Sequence, residues 1–189
     1  ALIKERMDVM NVDSGNDYRK RALEQVDAYL TPLGANTDRL LREAFGRLAE
    51  TKDEDHHVDI EGRRLKALRR AGTTIWFDFA TLCGGPRSQN DYLEIASRFH
   101  TVILSSIPQM SAGMSSEARR FTWLIDVFYD NKVKLIMSAE VAPELLYMQG
   151  TLSNEFHRTV SRIIEMQSQD YMNADQREIV AMLDSDHSH

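Results

Sequence analysis

The sequence predicts an α/β domain: a mainly parallel sheet flanked by helices, with a β-hairpin appendage. Three observations point there. Thr101–Ile107 and Val133–Met137 are nearly continuous apolar runs of strand length, the pattern of strands covered on both faces. Helical apolar spacing follows each, with Ala118, Phe121, Leu124, Ile125 and Phe128 after the first and Phe156, Val160, Ile163, Ile164 and Met166 after the second. Upstream, Val58-Asp59-Ile60 and Leu65-Lys66-Ala67 flank Glu61-Gly62, a tight-turn pair between short strands. A mixed α+β domain is the alternative.

The elements follow in order. Residues 7–12 alternate apolar and polar side chains, the period of a half-buried strand, and Ser14-Gly15-Asn16-Asp17 reads as a turn. Asn36 or Thr37 can cap a helix running to Glu50, with Leu40, Leu41, Ala44, Phe45 and Leu48 on one face. Residues 51–57 are polar and acidic and read as a mobile loop. After the hairpin, Thr73–Phe79 is β-branched and aromatic, hence a strand. A glycine loop, Cys83-Gly84-Gly85-Pro86-Arg87, leads into a short helix from Ser88 to Arg98. Ser115 or Ser116, with Glu117 in the first turn, caps the helix after 101–107. Pro143 can open a short helix, Asn154–Gln167 forms a longer one, and residues past Asp184 read as disordered.

With 189 residues the chain can bury one sizeable core. No apolar run approaches the roughly 20 residues of a membrane span, and Ala1–Arg6 lacks the apolar stretch of a secretory signal. The first residue is Ala1 rather than Met, which suggests a fragment or a processed product. A single cysteine, Cys83, leaves no intramolecular disulfide and fits a reducing cytoplasm. A net charge of -6 argues against strong nucleic-acid binding by the whole surface.

Chemistry-bearing motifs are sparse. No Gly-Lys pair occurs, so the chain has no phosphate-gripping P-loop, and the run Thr101–Leu104 leads into Ser105-Ser106 rather than magnesium-binding acids. Gly84–Ser88 precedes a helix and could attract an anion with help from Arg87, although a tight loop that needs glycine explains it more simply. Arg63, Arg64, Lys66, Arg69 and Arg70 form a basic cluster, offset by Asp53, Glu54, Asp55, Asp59 and Glu61. The histidines lack zinc-ligand spacing, and a Cys83–His100 dyad has no local support. Arg119 and Arg120 open one helix. Arg158 and Arg162, four apart, share a helix face and could meet a phosphate or bridge surface carboxylates.

Ile75-Trp76-Phe77-Asp78-Phe79 leading to Leu82-Cys83, Asn90-Asp91-Tyr92, Phe99-His100-Thr101-Val102 and Ala118-Arg119-Arg120-Phe121 together resemble the ZapE-type ATPase family. So do Val133-Lys134-Leu135 with Ser138-Ala139-Glu140-Val141, Phe156-His157-Arg158-Thr159-Val160-Ser161-Arg162, and Asp8–Asp13 with Asp17-Tyr18-Arg19. That family, which includes the lactation-elevated mitochondrial ATPases, implies an AAA+ P-loop ATPase of about twice this length. ATP and Mg²⁺ would serve the full-length protein, bound by residues upstream of Ala1, and this segment alone would bind neither and be inactive. The resemblance implies a division of 1–20 as the end of the ATPase core, 21–72 as helix and basic hairpin, 73–168 as a C-terminal α/β unit and 169–189 as helix and tail. Strands 101–107 and 133–137, with Pro143 and Tyr147, resemble the layout of the family's own magnesium-acid and sensor strands, as in a degenerate internal repeat.

By resemblance, the chain is the C-terminal regulatory and coupling segment of a cytoplasmic, bacterial ATPase. Its partners would be the rest of the ATPase core and the FtsZ division ring, in a homo-oligomer. Arg158 and Arg162 are candidate phosphate-sensing arginines, with Arg87, Arg119 and Arg120 weaker candidates for nucleotide contact; His157 departs from the residue the family pattern leads one to expect. The alternative is a stand-alone module for an acidic protein or a nucleic acid.

Overall fold

The computed structural model describes residues 17–49 and 51–176; the strand and turn read at 7–16 and the tail past Asp184 lie outside them. Helix α1 (17–24) leads to β1 (Tyr29–Leu30) and α2 (Ala35–Leu48). The hairpin β2 (His57–Ile60) and β3 (Arg63–Lys66) follows, then β4 (Arg69–Ala71), β5 (Thr74–Asp78), α3 (Phe79–Cys83) and α4 (Gln89–Arg98). Last come β6 (Thr101–Ile107), α5 (Ser115–Asp130), β7 (Lys134–Ala139), α6 (Phe156–Glu165) and α7 (Gln169–Asn173).

Five strands form one sheet in the order β1-β7-β6-β5-β4, parallel except at the β4–β5 edge. This is the α/β arrangement expected from the apolar runs, and it is consistent with a P-loop-NTPase-like fold. Alternation along the central strands sorts their side chains into two cores. Ile75, Phe77, Val102, Leu104, Leu135 and Met137 face α3, α4, α5 and α6. Trp76, Ile103 and Ile136 face the other way, onto Phe45 and Leu41 of α2, Leu23 of α1 and Met172 of α7. Strands buried on both sides need no polar alternation, which is why 101–107 and 134–139 read as apolar runs.

Both edge strands come from upstream: β1 pairs with β7 at Tyr29↔Met137, and β4 pairs with β5 through Gly72, whose φ of 59° only glycine adopts readily. Neither edge carried a legible pattern, since strands of two and three residues are too short to show a period. The hairpin is a separate two-stranded sheet whose turn, Glu61 at φ 50° and Gly62 at φ 74°, matches the primed turns that suit strand twist.

Two capping expectations need correction. Helix α2 starts after Gly34 instead, and Thr37 lies in its first turn with its hydroxyl donating to the Pro32 carbonyl at 2.7 Å. Helix α5 follows a 3-10 turn, Ala112–Met114, and Ser115 is its first residue rather than its cap. The acidic loop is also pinned. Arg69 donates twice to Asp53 at 2.9 Å, and the Glu54 amide donates to the Arg70 carbonyl at 2.7 Å, covering the β4 edge.

Candidate functional site

The glycine loop is organised by the end of α3. A short helix leaves its last carbonyls without intrahelical partners. Here Arg87 Nε donates to the Thr81 carbonyl at 3.2 Å, the Tyr92 hydroxyl to Leu82 at 2.8 Å and Arg120 Nε to Cys83 at 3.0 Å. Gly84 is required by close approach: a Cβ there would lie 2.5 Å from the Ala80 carbonyl oxygen. Cys83 is fully buried beside Tyr92, and burial pushes its thiol up to about 12, so it is inert at neutral pH. Its segment is remote in register from His100, which precedes β6.

The N-terminus of α4, an anion site in the weaker of the two readings of this loop, already holds an anion of its own. Asp91 is buried, accepts from the Ser88 amide at 2.6 Å, and both its carboxylate oxygens accept from Arg63 Nη2, at 2.8 and 2.7 Å. Arg63 also donates to the Pro86 carbonyl, Glu94 accepts from the Glu61 amide, and Arg98 donates to the Asp59 carbonyl. The hairpin is thereby tied to α4, with Val58, Ile60 and Leu65 beneath it in the core. Two more residues of the basic cluster face carboxylates: Arg70 pairs with Glu54 at 3.5 Å, and Arg64 lies 4.0 Å from Asp55.

Arg158 and Arg162 occupy different environments. Helices α5 and α6 run alongside each other, with Phe121 near Phe156, the Thr159 hydroxyl donating to Thr122 and Arg162 paired with Asp126. Arg162 also lies over the Tyr129 ring at 5.0 Å, and the Tyr129 hydroxyl donates to Glu165 at 2.6 Å. Tyr129 stacks on Tyr171, with Lys132 over both rings. Arg162 is thus half-buried in a network joining α5, α6 and α7. Arg158 is exposed and has no acidic partner among the described residues.

Arg119, exposed on α5, borders a groove of about 330 Å³ walled by Trp123, Tyr147, Leu152 and Phe156. A second groove of similar size lies across Tyr147 and Phe156, beside Met148 and Val160. The loop between them is held by the Tyr147 hydroxyl, which donates to the Thr151 carbonyl at 2.5 Å, and by Gly150 at φ 115°. Leu145, Met148 and Leu152 stand exposed around it, an apolar surface that the strand-and-helix reading did not find because the segment has no regular period.

The AFG1-like ATPase family model matches residues 1–175. The chain belongs to the AFG1-like ATPase family. The cell division protein ZapE of Escherichia coli K12 is 43% identical over 171 residues, covering 90% of this chain and 46% of that protein. An uncharacterised protein of Schizosaccharomyces pombe is 31% identical over 92% of this chain and 45% of its own length. Lactation elevated protein 1 homolog B of Danio rerio is 30% identical over 90% of this chain and 41% of its own length. The chain therefore spans less than half the length of these curated relatives. No solved structure matches it. The nucleotide and metal that an AFG1-like ATPase implies do not fit the residues present: β6 ends in Ser105-Ser106-Ile107 and β7 in Ser138-Ala139, and no cluster of metal-ligating side chains occurs among the described residues. Nor is any described helix long and apolar enough to cross a membrane.

Proposed function

We propose that this chain is the C-terminal regulatory and coupling segment of an AFG1-like ATPase that uses ATP and Mg²⁺ bound by residues outside it, and that the whole protein acts in bacterial cell division, on the division ring. The observation that carries the reading is the family match over residues 1–175, joined to an α/β body with no phosphate loop of its own. Coupling needs a rigid body with an exposed contact group. The α5–α6–α7 network supplies the rigidity, and Arg158, exposed on α6 with no acidic partner among the described residues, is a cation placed to make the contact. Within this reading Arg158 meets the nucleotide or the partner, while Arg162 positions the helix that carries it. Arg119 flanks the same end of the helix pair, and Arg87 and Arg120 hold the glycine loop in shape. The stand-alone module for an acidic partner draws less support, because Arg63, Arg69 and Arg70 already face the chain's own carboxylates.

The test uses a full-length protein containing this segment. Arg158→Ala should lower ATP turnover about tenfold or more at unchanged thermal stability, the signature of a contact made in the working assembly. Unchanged turnover in that variant removes Arg158 from the proposal.

A further inference from the structure

The loop between β7 and α6 divides two grooves of about 330 Å³ each, one reaching Arg119 and Trp123 on α5, the other reaching Met148 and Val160. The dividing wall is Tyr147 set edge-on to Phe156, their ring centroids 5.6 Å apart. Gly150 fixes that wall: a Cβ there would lie 2.6 Å from the Tyr147 hydroxyl and 3.0 Å from the Ala112 backbone. The grooves are thus formed before any occupant arrives, which lowers the ordering cost of binding. Leu145, Met148 and Leu152 are 43, 56 and 43% exposed around them. We propose that this surface pairs with the same surface of a second copy of the chain, about a two-fold axis through the groove beside Arg119.

Three observations choose that occupant. Leu152 has φ 68°, a left-handed conformation that strains a leucine backbone, yet its side chain stays exposed and gains little from burial within the chain. A contact outside the chain offsets that strain. Arg119 and Glu155 border the same groove, both exposed, and neither has a charged partner among the described residues. A partner carrying one sign of charge would be attracted by one of them and repelled by the other. A two-fold contact satisfies both, because Arg119 of one copy meets Glu155 of the other, and the reverse. The described chain also enters at α1 and leaves at Gln176, both beside His100 at the N-terminal ends of the parallel strands. The grooves follow the C-terminal end of β7, so they lie at the opposite end of the sheet from both points and open to a second molecule. The pairing does not rest on the coupling contact at Arg158, and its readout is association rather than turnover.

Sedimentation velocity of the chain from about 5 to about 500 μM should show a reversible monomer–dimer equilibrium with a Kd of about 10–100 μM, the strength a small apolar patch supports. Arg119→Glu and Glu155→Arg each set like charges against each other twice across the axis, and each should weaken association about tenfold or more. Mixed in equal amounts, the two variants should recover the lost affinity as a heterodimer. Leu152→Asn, whose side chain tolerates the left-handed conformation, should weaken dimerisation about tenfold with a thermal midpoint no lower than that of the unaltered chain. A monomer throughout the range, oligomers that grow beyond the dimer, a dimer indifferent to these variants, or charge variants that fail to recover on mixing would each overturn the proposal.

Discussion

Arg162 and Arg158 show how two identical side chains four residues apart come to differ. Arg162 finds Asp126, Tyr129 and a half-buried setting; Arg158 finds solvent. Arg162→Ala should therefore cost about 1–3 kcal/mol by stranding a partly buried carboxylate and removing a cation over a ring, measured by urea unfolding, with Asp126→Asn close behind. Arg158→Ala should leave the unfolding midpoint in place. Spacing placed both arginines on one face but could not say which one the neighbouring helix would claim. Gly84 makes a similar point: its need for glycine was legible, yet the reason is a backbone contact rather than a positive φ, and Gly84→Ala should destabilise by about 1–3 kcal/mol. His100 carries a pH prediction. Its folded pKa, about 4, lies below its ordinary value of 6.5, so between these the unfolded chain binds a proton that the folded chain refuses. Its contribution is complete above pH 6.5 and is lost as pH falls toward 4. Chemical denaturation across that range should show a slope that His100→Asn flattens. Lys134 follows the same sign at higher pH, its contribution growing from pH 8 to 10.5.

At the scale of elements, the hairpin was the clearest reading and α4 the least complete. Val58, Ile60 and Glu61-Gly62 gave strands and turn directly. What the sequence concealed is that Asp91, 28 residues from Arg63, serves both as the α4 capping carboxylate and as the hairpin's tether. Asp91→Ala should remove both. Hydrogen exchange in β2 and β3 should then accelerate together with the first turn of α4, while β6 and β7 keep their protection. Faster exchange confined to α4 would show that Val58, Ile60 and Leu65 hold the hairpin unaided. The basic cluster was harder to read, since opposite charges close in sequence do not reveal their pairing. The bidentate Arg69–Asp53 contact and the Arg70–Glu54 pair make the hairpin a surface with little net attraction for phosphate backbones. Binding to DNA at physiological salt should be weak and should weaken further with added salt.

For the whole molecule, the sheet was legible at its centre and hidden at its rims. Apolar runs announced β6 and β7, whereas β1 and β4 depend on partners far along the chain. The same division governs activity: the chain alone should release no phosphate from ATP, because its sequence carries no Gly-Lys phosphate loop and no cluster of metal-ligating side chains occurs among the described residues. Turnover that persists through repurification and is abolished by a substitution within residues 17–176 would refute this. Sheet order also has a kinetic meaning. Strands β5, β6 and β7 are neighbours both in sequence and in space, but β1 reaches β7 only by closing a loop, with the Tyr29 hydroxyl donating to a carbonyl 112 residues away. Chain closure over such a span carries an entropic cost that few contacts repay until the centre exists. Truncating Ile103 should slow refolding, while Leu30→Ala should chiefly hasten unfolding, marking β1 as a strand that joins after the transition state has passed.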